Sequence, residues 1–282
     1  MNIEGWEYYN HAMIPTTAPH EIPDLAPVYN GKFWKIKEYR PLLARWTTRF
    51  DCGVETNWWY IIKDNPFDIS ELKAKRRYEI NKGNKKFQVQ VINPTQYTEE
   101  ICEVYKEALT GYPSKYRPTF NEADFIESVC NEWKDKCIYG GFDRETGKLC
   151  GYALLTIHDS YVAFNVLKTI PEYEKYAINA AIVYGILSDF NYRLGKAFYI
   201  CDGERNISHE TDFQNYLEKY FGFRKAYCVL NISYRPVVHL AVKLLYPFRK
   251  WLEVLNSNSF IHNVIAVLYM EELKRESEKE RN

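Results

Sequence analysis

The sequence predicts a mixed α/β fold across residues 87–235, preceded by a β-rich extension and followed by helices. Three observations carry this. Apolar spacing switches between periods of two and about 3.6 in the order β-α-α-β-β-β-α-β-α-β over 87–235. That order is not the strict alternation of a doubly wound parallel sheet. Residues 1–65 are proline-punctuated and aromatic, and after Pro236 the pattern becomes wholly helical. The expected organisation is therefore 1–86 as a β-rich extension plus a basic helix, 87–235 as the central domain, and 236–282 as a helical hairpin with a charged tail.

In chain order, Asn30-Gly31 marks a turn before three extended segments, Phe33–Lys37, Leu42–Trp46 and Asn57–Ile62. Asp68-x-x-Glu71 forms a capping-box pattern ahead of a basic helix from Leu72, with Gly83 as its stop. Phe87–Ile92 alternates as a strand. Tyr97, Ile101, Val104, Tyr105, Ala108 and Leu109 have helical spacing, and Asn121 caps a second helix bearing Phe125, Ile126, Val129 and Trp133. Strands follow at Ile138–Phe142, Leu149–Thr156 and Tyr161–Leu167. One long helix begins after Pro171. A strand at Ala197–Cys201, a helix at Asp212–Tyr220 closed by Gly222, and a strand at Lys225–Tyr234 complete the domain. Beyond Pro236, Val237, Leu240, Ala241, Leu244, Leu245, Trp251, Leu252 and Leu255 form one apolar stripe. A further helix from about Phe260 frays into a charged tail at 274–282.

Composition narrows the function. The chain has 37 basic and 37 acidic side chains, so no global charge recruits nucleic acid or an anionic membrane, and any such surface is local. The start lacks a signal peptide, and no apolar run reaches the length of a membrane span. Seven scattered cysteines without a C-x-x-C spacing fit free thiols in a reducing cytoplasm, and six dispersed histidines give no metal-ligand spacing. A cytoplasmic protein without a metal is expected.

The element order, with Pro171-Glu172-Tyr173 before the long helix and Tyr220-Phe221-Gly222-Phe223 closing the next, resembles the GNAT acyltransferase superfamily over residues 87–235. Upstream, Leu72-Lys-Ala-Lys-Arg-Arg-Tyr-Glu-Ile-Asn-Lys-Gly83 is similar to the basic helix of Fem-type aminoacyltransferases. Cys201-Asp-Gly-Glu-Arg-Asn-Ile-Ser-His209 is similar to their C-terminal half. The resemblance implies acyl or aminoacyl transfer onto an amine or hydroxyl, with a cell-envelope or glycan precursor as acceptor. It also implies an acyl donor that is either a coenzyme A thioester or an aminoacyl-tRNA. GNAT enzymes cradle the coenzyme A pyrophosphate on glycine-spaced backbone N–H groups at a helix start. In that register this chain carries Glu174 at the basic position, Ala177 at the first glycine, then Asn179 and Ala180. The degenerate loop leaves the donor open and supports a rival reading, a non-catalytic GNAT-like binding module. A third reading is a membrane-surface scaffold acting through the C-terminal helices.

Asp202, Arg205, Ser208 and His209 bring an acid, a cation, a hydroxyl and an imidazole into one loop, the groups an acyl transfer needs as base and oxyanion donors. The alternative is that Asp202-Gly203 only turns the chain while Ser208 and His209 cap a helix. Lys75, Arg76 and Arg77 belong to a basic cluster that would grip phosphates of a nucleotide or nucleotide-linked substrate, a tRNA or a lipid-linked acceptor, or simply form a solvated helix face. Trp58 and Trp59 would stack on a sugar or base, or fill the core. The helix after Pro236 would lie on a membrane as a peripheral contact, but packing on its own domain or in a homodimer is the favoured reading.

Overall fold

A computed structural model describes residues 3–112, 117–206, 212–254 and 259–279. In chain order its strands are β1 (Trp6–Tyr9), β2 (Ala12–Pro15), β3 (Leu43–Thr48), β4 (Trp58–Lys63), β5 (Phe87–Ile92), β6 (Cys137–Asp143), β7 (Leu149–Ile157), β8 (Tyr161–Thr169), β9 (Tyr199–Glu204) and β10 (Arg224–Tyr234). Its α-helices are α1 (Ala26–Tyr29), α2 (Ala74–Lys86), α3 (Thr98–Thr110), α4 (Glu122–Asn131), α5 (Pro171–Glu174), α6 (Ile178–Phe190), α7 (Asp212–Phe221), α8 (Pro236–Leu245), α9 (Arg249–Val254) and α10 (Ser259–Lys279). The fold is mixed α/β, as the spacing predicts.

The chain forms two compact units that its termini do not delimit. One comprises 1–61, 204–212 and 225–282, and the other 62–203 and 213–224. The boundaries read from the sequence at 86/87 and 235/236 differ from these, because the N-terminal strands and the C-terminal helices fold together around β10.

In the first unit the strand order is β1-β2-β3-β10-β4. β1 and β2 form a hairpin whose two turn residues, Asn10 and His11, both have positive φ (45° and 63°), as the tight turn between paired strands requires. β2 then pairs parallel with β3, and β3 antiparallel with β10. Trp58, Leu43, Leu230 and Ile232 meet Val242 of α8 and Leu268 and Leu273 of α10 in one core. A second cluster under the N-terminal loops joins Trp6, Met13 and Phe33. Phe33 is not in a strand: Lys32–Lys35 forms a 3-10 turn, which buries that ring.

The second unit orders its strands β9-β8-β7-β6-β5. β5 to β8 are antiparallel neighbours, while β8 and β9 run parallel. α3 and α4 cover one face, where Ile101, Val104 and Val129 pack with Ile138, Tyr152 and Leu154. Asn121 caps α4 by accepting from the Ala123 N–H.

Three helices depart from the sequence reading. Asp68 caps only a 3-10 turn at Ile69–Glu71, and α2 begins at Ala74 and runs through Gly83 to Lys86. The expected long helix after Pro171 divides into α5 and α6, with Ala177 in the left-handed region between them (φ 65°). The charged tail stays helical to Lys279, because Leu273 and Ser277 are buried inside its last turns.

Candidate functional site

In the second unit, β8 and β9 pair over three positions only, Tyr161 with Tyr199, Val162 with Ile200 and Ala163 with Cys201. Beyond them the strands part. The cause is local: on its other edge β8 pairs Phe164 with Leu155 and then Val166 with Leu154, so Asn165 is an extra, bulged residue. A bulge bends and over-twists its strand. The parting leaves a notch in the sheet lined by backbone groups that no longer serve the β8–β9 ladder.

Asp202 is the first residue of β9 beyond the last pair. Its carboxyl is partly buried, and this burial raises its pKa from 3.8 to about 8; a hydrogen bond from the Gln214 amide on α7 opposes the rise. A carboxyl that exchanges its proton near neutral pH, beside a notch in the sheet, has the properties of a general base. The neighbouring Cys201 is buried, and its sulfur accepts from the Gly203 N–H.

The start of α6 is the place where a pyrophosphate cradle would lie, and it is closed by α2. A Cβ on Gly83 would come within 2.5 Å of the Ala177 carbonyl oxygen and 3.1 Å of the Ala181 Cβ. Lys82 donates to the Lys175 carbonyl at 2.7 Å, Thr169 donates to the Asn179 side chain at 2.9 Å, and Glu174 is exposed. Ala177 keeps the positive φ that a glycine would favour but adds a methyl group. These residues do not fit a pyrophosphate: the loop offers a carboxylate in place of a cation, and its backbone is already covered.

On α2, Arg76 pairs with Glu79 and stacks 3.2 Å from the centre of the Tyr220 ring, while Arg77 donates to the Ser70 and Leu72 carbonyls. Both arginines are engaged within the unit. Lys75 and Lys85 are exposed and make no ion pair or hydrogen bond among the described residues, and with Lys82 they share one helical stripe.

The first unit holds a separate cavity of about 900 Å³. Its polar part is built by Asn10 and His11 of the hairpin turn, the Arg45–Glu204 ion pair, Arg205 and Asn206; its apolar wall comes from α8 and α10. The size falls in the range of small-molecule sites. Arg205 is firmly held: it donates to the Asn57 carbonyl at 2.6 Å and the Tyr269 hydroxyl at 3.0 Å, and lies 4.4 Å from the Trp59 ring centre. Lys225 faces the same ring at 4.5 Å. Trp59 thus meets two cations, and Trp58 is fully buried.

The structure therefore assigns the loop residues to different units, Asp202 to the notch and Arg205 to the cavity wall. Ser208 and His209 lie outside the described residues. Sequence reading missed Asn165, since one extra residue in an alternating strand leaves no compositional mark. It also missed Gln214 as a partner of Asp202, because the two come together only when α7 packs beside β9. Asn10-His11 had a usable signal, because Asn is enriched at positive φ.

No family model matches the chain, and no curated protein does. Solved structures do. L-PGS from Bacillus licheniformis aligns over 96% of this chain and 86% of its own, at 12% identity and a TM-score of 0.52. A C-terminal domain of the lysylphosphatidylglycerol synthetase type from Agrobacterium fabrum aligns over 84% and 82%, at 11% identity and a TM-score of 0.50. FemX aligns over 64% and 63%, at 12% identity and 0.47. At such identities the likeness is one of fold. The chain has the fold of GNAT-type acyltransferases, the one its element order resembles.

Proposed function

We propose that this chain transfers an acyl or aminoacyl group from an activated ester to an amine or hydroxyl of an amphiphilic, envelope-type acceptor, with Asp202 as the proton acceptor. The observation that carries the reading is the parting of β8 and β9 at the Asn165 bulge, with Asp202 placed at its mouth. As the acceptor's nitrogen or oxygen forms its bond to the donor carbonyl, its proton passes to Asp202; the ester bond then breaks, and the donor's oxygen or sulfur leaves with the proton that Asp202 returns. Backbone N–H groups at the notch are the candidate oxyanion donors.

Between the two donors, aminoacyl-tRNA is favoured. The closed start of α6 disfavours coenzyme A, and the exposed lysines of α2 suit a polyphosphate backbone. The likeness in fold to a synthetase of lysylphosphatidylglycerol accords with an aminoacyl donor and an amphiphilic acceptor.

The test supplies the full-length chain with tRNA charged with labelled amino acids, together with a cell-envelope extract. Label should appear in an acceptor product, and Asp202→Asn should slow its formation by ~10²–10⁴-fold. Equal rates from Asp202→Asn, or turnover with acetyl-CoA and with no aminoacyl-tRNA, would refute the reading.

A further inference from the structure

Helix α8 is apolar on two adjacent faces, one turned to the cavity and the other to solvent. Val238, Ala241, Val242 and Leu245, spaced i, i+3, i+4, i+7, line the cavity. The neighbouring face carries Val237, Leu240 and Leu244, and the following turns continue it with Phe248 and Trp251. These five side chains are 58–78% exposed. The stripe expected to pack on its own domain is therefore split, with half of it turned to solvent. An exposed apolar surface of this kind needs an occupant.

Charge identifies the occupant. From Pro236 to Leu252 there is no acidic residue, while Lys243, Arg249 and Lys250 are cationic. Arg249 is held by Glu272 at 2.7 Å. Lys243 and Lys250 are exposed, seven residues apart beside the apolar face, without a partner among the described residues. A two-fold contact with a second copy would bring these cationic segments together, with Glu253 as the single acid of α8 and α9 against three cations. An anionic bilayer supplies the missing charge and takes up Trp251 at its headgroup level.

We infer that the outer face of α8 and α9 docks the protein on the surface of an anionic bilayer. Leu245, which lines the cavity, is itself 37% exposed, so apolar surface runs from the docked face to the cavity rim. A molecule with an apolar chain then passes from the bilayer into the first unit without crossing a polar surface. No helix among the described residues is long and apolar enough to cross a membrane, so the contact is peripheral. The docking does not depend on the transfer reaction proposed above.

The experiment is co-sedimentation of the full chain with phospholipid vesicles, zwitterionic alone or mixed with an anionic phospholipid. The chain should pellet with the anionic vesicles and be released by salt. Lys243→Gln with Lys250→Gln should lower its partition roughly thirtyfold at low ionic strength. Leu244→Glu with Trp251→Glu should abolish binding with unchanged circular dichroism, since both side chains are exposed. A chain that stays in the supernatant with every vesicle overturns the inference. So does equal binding by the Glu variant, or a dimer in light scattering that this variant converts to a monomer while the wild type ignores vesicles.

Discussion

Asp202 lies within β9, one residue past the last pair with β8, where its backbone is fixed by the sheet and its carboxyl meets Gln214. If it is the base, the rate should rise about tenfold per pH unit below about pH 8 and level off above it, and Asp202→Asn should remove that limb. Stability should show the same group with the opposite slope. The folded carboxyl keeps its proton up to about pH 8, whereas the unfolded one loses it near 3.8. The folded state therefore binds the extra proton between these values, and stability falls as pH rises through that window. Asp202→Asn keeps the shape and removes the penalty. It should stabilise the protein above pH 8 by about 1–3 kcal/mol, less than the full shift implies because solvent reaches the site, and have little effect near pH 4. Thermal melts at the two pH values check this. An unchanged difference between the variant and the wild type would mean that the carboxyl is already ionised at neutral pH.

Among the elements, the contact of α2 with α6 decides the donor chemistry. Gly83 lies mid-helix, where glycine costs about 1 kcal/mol relative to alanine, so its presence calls for a local reason. The reason is the Ala177 carbonyl, which a methyl group would meet at 2.5 Å. Gly83→Ala should lose about 1–3 kcal/mol despite its better helix propensity, because the obstacle is backbone that moves only with α6. Chemical denaturation measures it, and a stabilised variant would show that the two helices are not in tight contact. The same closure predicts that calorimetric titration with acetyl-CoA gives no micromolar binding. Micromolar binding would mean that α2 leaves the start of α6 in solution. The one-turn α5 and the left-handed Ala177 were hidden in the sequence, because the break between α5 and α6 has neither a proline nor a glycine to mark it.

For the whole molecule, all seven cysteines are free, four of them buried, and neither unit is stapled. Reductant should leave the melting temperature unchanged; a drop of several degrees would reveal a cross-link. A chain of zero net charge also gathers its charge locally, in the lysine stripe of α2, the Arg45–Glu204 pair in the cavity and the acid-free stretch 236–252.

Over 87–235 the sequence by itself determined the order and type of the elements, since periods of two and 3.6 are set by which faces are buried, and that order was enough to resemble the acyltransferase fold; the β1–β2 hairpin and the 3-10 turn at Phe33 were not read from it. It also placed Asp202 next to the end of a strand, and it placed the stop at Pro236. What it could not express were the distances between segments far apart in the chain. Gly83 reads as a helix stop until the Ala177 carbonyl is set against it. Arg76 and Arg77 read as phosphate ligands until Tyr220, Glu79 and two carbonyls claim them. The α8 stripe reads as one face until the cavity separates Val238 and Leu245 from Leu240 and Leu244. Local periodicity records that a side chain is apolar. Only the tertiary structure decides what, if anything, covers it.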